Sequence, residues 1–125
     1  MAYDYWAAYE KHLNAMRHAH EVFLRDYNTL GAREQQVQQA RASGNMISAQ
    51  NALSEFGRYT AAVTKEGRDV QNLGRIAMGK LNSYVRNVKR FPESSQHLQN
   101  IQGVVDGVEA NLRHLQSRAR AVRGF

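Results

Sequence analysis

The sequence has 125 residues, a formal charge of +6, a single proline and no cysteine. That length suits one domain with a simple core, and the lack of cysteine excludes disulfides, thiolate metal sites and cysteine nucleophiles. The first residues, MAYDYWAAYEKH, place Asp4 and Glu10 where a secretory signal needs basic residues before an apolar run. No stretch approaches the roughly 20 apolar residues of a membrane span. The chain therefore reads as soluble, cytoplasmic or assembly-associated.

Ala, Gln, Arg and Leu dominate and β-branched runs are short, which favours helix throughout. In the first segment Trp6, Tyr9, Leu13, Met16, His20, Phe23, Tyr27 and Leu30 alternate at spacings of three and four, a seam along one helix face. His20 alone breaks its apolar character, which predicts a buried polar residue that fixes register. The polar segment GAREQQVQQARASGN predicts that this helix continues past Gly31 to about residue 43 and reverses at Ser43–Asn45.

A second seam begins at Met46 and passes through Leu53, Phe56, Val63, Gly67, Val70, Gly74, Ala77, Leu81, Tyr84 and Val88 to Phe91, where Pro92 stops it. It keeps its register through Gly67, so one continuous helix over 46–91, about 70 Å long, is expected. The third seam is Leu98, Ile101, Val105, Val108, Leu112, Leu115, Ala119 and Val122, on a helix over about 95–123.

The expected fold is all-α: an elongated antiparallel three-helix coiled-coil bundle with a protruding helical hairpin, in one domain over residues 1–125. Its helices cover about 4–43, 46–91 and 95–123. The alternative breaks the chain near Gly67 and folds residues 46–66 back, giving a compact four-helix bundle. Matching the helices end to end sets Leu30 against Gly67 and Val122, Phe23 against Gly74 and Leu115, and His20 against Ala77 and Leu112. Small Gly67, Gly74 and Ala77 then admit large neighbours, the reason for glycines inside a helix that they otherwise weaken. Trp6 is set against Phe91 and Leu98. Gly79 has no role in this scheme.

In that register Met46, Ile47, Leu53, Phe56, Tyr59 and Val63 lack a cover, and Leu73, Ile76, Met78 and Val85 widen the apolar surface of the second helix. These ten residues are the expected interface with further copies or other protein subunits. Basic residues supply a second surface. Arg68, Arg75 and Lys89 share one heptad position, Arg86 and Arg90 lie nearby, and Arg113 and Arg120 repeat the pattern on the last helix. Such a stripe suits nucleic acid or an acidic partner.

Catalytic and cofactor motifs are lacking. His12, His18 and His20 are spaced six and two apart, and a shared metal on a helix needs three or four. GRDVQNLG and GRIAMGK miss the spacing of a phosphate-binding loop, and no Ser or Thr follows Lys80. No metal, cofactor or small-molecule substrate is expected. The sequence points to a non-enzymatic structural protein that oligomerises or docks into a larger complex, of the kind found in virions or secretion machines. Nucleic-acid binding through the basic stripe is the alternative.

Overall fold

In a computed structural model describing residues 3–124, the chain forms four helices: α1 (Tyr5–Tyr27), α2 (Leu30–Ala42), α3 (Met46–Asn87) and α4 (Ser94–Arg123). Residues 1, 2 and 125 lie outside this description. The Asp4 carboxylate caps α1 by accepting from the Ala7 amide at 2.9 Å. The expected reversal holds: Gly44 takes a positive φ of 75°, and Asn45 Oδ1 accepts from the amides of Ile47 and Ser48, starting α3 at Met46. α1 and α4 each pack antiparallel to α3 and so run parallel to one another, giving an all-α helical bundle around three aligned seams.

α3 runs 42 residues without a break at Gly67, about 63 Å at 1.5 Å per residue, which overturns the four-helix alternative. Three expectations change in detail. The first helix is interrupted at Asn28–Thr29, where the Thr29 hydroxyl donates to the Asp26 carbonyl (2.9 Å), so α2 is a separate piece. α3 stops at Asn87 rather than Phe91, with Val88 as its C-cap, so the helix ends before the proline bars it. Val88 is consequently exposed, while Phe91 folds back onto Trp6, with ring centroids 5.5 Å apart. Trp6 also meets Tyr84 at 5.0 Å, so the expected Trp6–Phe91 neighbourhood forms through a loop instead of a helix.

The third change is the register. A Cβ placed on Gly67 would lie 2.8 Å from Leu112 Cδ2 and 2.9 Å from Phe23 Cε1; on Gly74 it would lie 2.8 Å from Val105 Cγ2 and 3.3 Å from Met16 Sδ. Gly67 therefore faces Phe23 rather than Leu30, and Leu112 rather than Val122. α1 is slid one heptad from the end-to-end match and α4 about ten residues, which carries Leu30, Val37 and the last turns of α4 over the start of α3. Leu30, Val37, Phe56 and Val63 are all at most 2 % exposed as a result. The close-packing role of Gly67 and Gly74 stands with different partners, and Ala77 is fully buried in the same stripe.

The buried polar residues among those described are Thr60 and Gln71, not His20. Gln71 is 1 % exposed; its Nε2 donates to Glu109 Oε2 (2.8 Å) and to the Val105 carbonyl (3.3 Å), and its Oε1 accepts from Arg68 Nη1 (2.8 Å). A polar group this well satisfied holds α3 and α4 in one register, since a slide would strand it. His20 is half-buried, and burial, opposed by the Glu21 charge, lowers its pKa.

Candidate interaction surface

The ten apolar residues expected at an interface separate into three groups. Phe56 and Val63 belong to the chain's own core, so the prediction that they face a partner is corrected: the slide of α4 brings Leu115, Ala119 and Val122 onto this part of the bundle. Leu53, Tyr59, Leu73 and Met78 are half-buried against that core, and Val85 is half-buried. Tyr59 is held by Thr29, hydroxyl to hydroxyl at 2.5 Å, with the Arg33 guanidinium 5.1 Å from its ring centroid. Met46, Ile47 and Ile76 remain exposed, at 75 %, 71 % and 44 %. Ile76 stands alone on the outer face of α3. Met46 and Ile47 share the tip of the α2–α3 hairpin.

The tip is open because α4 ends beside Gly57, leaving the first turns of α3 covered only by α2. Arg41 ties α2 to the end of α4 by donating to the Val122 carbonyl at 2.7 Å. Arg118 and Glu34 add a two-pronged ion pair between α4 and α2. Past these ties Met46 continues the heptad stripe that is buried from Phe56 onward, and a shallow recess of about 220 Å³ lies between Arg41, Gly44, Met46 and Ala49.

The basic residues do not form one track. Arg68 reaches Glu109 at 2.6 Å and Arg113 reaches the same carboxylate at 3.7 Å, so two of the expected cations are spent on one anion. The Gln71 amide first, then Arg68, hold Glu109 below the ordinary carboxylate range. Arg75 bonds Asn72 on its own helix (3.3 Å). Arg120 lines a groove between α3 and α4, and Arg86, Lys89 and Arg90 are exposed at the opposite end of the bundle.

The histidines are dispersed: His97 Nδ1 lies 2.8 Å from the Tyr9 hydroxyl, His12 Nδ1 donates to the Ala8 carbonyl, and His114 neighbours Tyr27. Among the described residues no three metal-ligating side chains gather. No helix there is long and apolar enough to cross a membrane.

One feature at the break between α1 and α2 has no counterpart in the sequence pattern. Glu66 on α3 reaches Asp26 at the end of α1, and its Oε2 is shielded from water with no donor beside it. Between the two carboxyl groups themselves, the hydrogen available is an acid proton. Burial first, then the Asp26 carboxylate and Asp69, push Glu66 up to about 7, against a downward pull from Arg25. Asp26, bonded by Glu66 and paired with Arg25 at 3.2 Å, is held below its ordinary value.

Unfolded Glu66 releases its proton near 4.5 and folded Glu66 near 7, so the folded chain holds more protons in between. Its contribution is complete below pH 4.5 and is lost as pH rises through 7. Asp26 works oppositely, its contribution lost only at acid pH. Glu66→Gln should therefore raise stability at pH 8 by about 1 kcal/mol, water screening having reduced the full effect, and leave it nearly unchanged at pH 5. Thermal melts at both pH values check this, and an equal shift at both would refute the shared proton.

Comparison of the chain with protein-family models, with curated proteins and with solved structures finds no match, so its function is argued from this surface alone.

Proposed function

We propose that the chain is a non-enzymatic structural protein that assembles through the tip of its α2–α3 hairpin, of the kind that serves as a subunit in virions or secretion machines. The observation that carries this reading is the continuation of the core stripe into solvent at Met46, beside exposed Ile47, on a hairpin pinned to α4 by Arg41 and Arg118. Paired exposed aliphatics on a rigid projection are the form that protein contacts take. The partnered carboxylates, Asp26 with Glu66 and Glu34 with Arg118, join helix to helix, an arrangement that favours structure over catalysis.

A second reading, nucleic-acid binding, draws on Arg86, Lys89 and Arg90, exposed at the end of α3 with no ion pair among the described residues. Three cations at one end supply a short electrostatic footprint, without the exposed aromatic rows that hold single strands.

Light scattering after gel filtration, recorded with the 260/280 nm absorbance ratio, tests both. The expected result is an oligomer free of nucleic acid that Met46→Asp with Ile47→Asp reduces to monomer at unchanged melting temperature. A monomer at every concentration would sink self-assembly through the tip, and a raised absorbance ratio that falls at high salt would put the second reading in its place.

A further inference from the structure

The outer face between α3 and α4 carries a groove of about 430 Å³, with buried Thr60 on its α3 side beside Gly57, Ala61 and Thr64. The last three, all small, sit at spacings of four and three, and a Cβ added to Gly57 would meet nothing within 4 Å, so the bundle itself leaves this space open. The α4 side ends in Arg120 and Arg123. Among the described residues neither has an ion pair and no carboxylate lines the groove. One heptad from Ala61 and from Gln116 toward the middle of the bundle, Arg68 and Glu109 are joined by an ion pair. In the other direction the same stripe of α3 runs on through Ser54 to Ile47, one and two heptads before Ala61, so the exposed isoleucine of the tip lies in line with it.

We propose that this groove receives an acidic amphipathic helix of a partner protein, which lies along α3 from Ile47 to Thr64 as a fourth helix of the bundle. The proposal rests on the reading of the chain as an assembly protein and names a partner for it. Small residues on the floor let a helix approach closely, with its own larger apolar side chains filling the space above Gly57 and Ala61. Ile47 anchors one end. The span is about 26 Å, some 18 residues of helix. Charge selects the occupant: a groove edged by two arginines and no acid, in a chain of net charge +6, favours Asp and Glu flanking the apolar stripe and disfavours a second copy of this chain.

The test is a selection from a displayed library of 18-residue helices with a fixed Ala/Leu stripe and flanking positions randomised among Asp, Glu, Lys, Arg, Ser and Gln. Selected helices should be enriched in Asp and Glu at the flanks. They should bind Ala61→Trp, which fills the groove from an exposed position, and Arg120→Glu with Arg123→Glu at least tenfold more weakly, while all three proteins melt alike. Flanks without acidic enrichment, or equal binding to Ala61→Trp, would overturn the proposal. So would a wild-type dimer dissolved by Ala61→Trp, which makes the occupant a second copy, or selected helices that a thymidine oligonucleotide displaces and whose binding Ala61→Trp leaves unchanged. The outcome is separable from that of the light-scattering experiment: an oligomer without groove-dependent helices removes this proposal alone, and a monomer that selects acidic helices removes only tip-mediated self-assembly.

Discussion

Gly74→Leu should destabilise the chain by about 3 kcal/mol or more, whereas Gly79→Ala, five residues along the same helix, should stabilise it by about 0.5–1 kcal/mol. Even a first carbon on Gly74 would sit 2.8 Å from Val105 Cγ2, and valine, with two branches on its Cβ, has few rotamers into which to retreat. Leucine adds three more carbons in the same direction, so α3 and α4 must separate or slide, and sliding strands Gln71 from Glu109 and the Val105 carbonyl. Gly79 faces open space, where alanine gains helix propensity without meeting anything; nothing in the structure explains why glycine stands there. Urea denaturation of the two variants beside the wild type checks the contrast. A Gly74→Leu midpoint equal to that of wild type would mean that α3 does not touch its neighbours there.

The seams of all three long segments were legible because a heptad pattern fixes which face of a helix is buried. Eighteen of their positions, from Tyr9 to Val122, are buried hydrophobic residues of the structure. How far each helix slides along its neighbour was not legible, because a displacement of one heptad leaves the same face inward. Matching ends was a poor guide, since Val88 and Phe91 continue the pattern beyond the true end of α3 and the break at Asn28–Thr29 has no apolar signature. What settles the slide is the size match at Gly67 with Phe23 and Leu112, together with the bonds of Gln71, and neither is visible until two helices are brought together. The surface suffered for the same reason. Arg68 and Arg113 fall on suitable heptad positions, but only the three-dimensional register shows that Glu109 takes both.

The same slide decides what a charge does on either side of the end of α4. Phe56→Asp should destabilise the chain by about 5 kcal/mol or more, enough to unfold much of the population at room temperature, while Met46→Asp should change stability by less than about 0.5 kcal/mol. Phe56 is 2 % exposed in the continuous core, and an aspartate there loses the aromatic contacts, leaves a cavity and buries an unpaired carboxylate. Among the described residues no cation is buried to offset it; Arg41 and Arg118 are engaged with the Val122 carbonyl and Glu34. Met46, ten residues earlier in the same stripe, is 75 % exposed, because there the stripe has passed beyond α4. Circular dichroism at 25 °C and urea titration of the two variants measure the difference directly. Equal, small effects would mean that residues 46–63 form one uncovered apolar face; a large loss at Phe56 with none at Met46 places the boundary between core and contact surface at the end of α4, beyond which Met46 and Ile47 stand exposed.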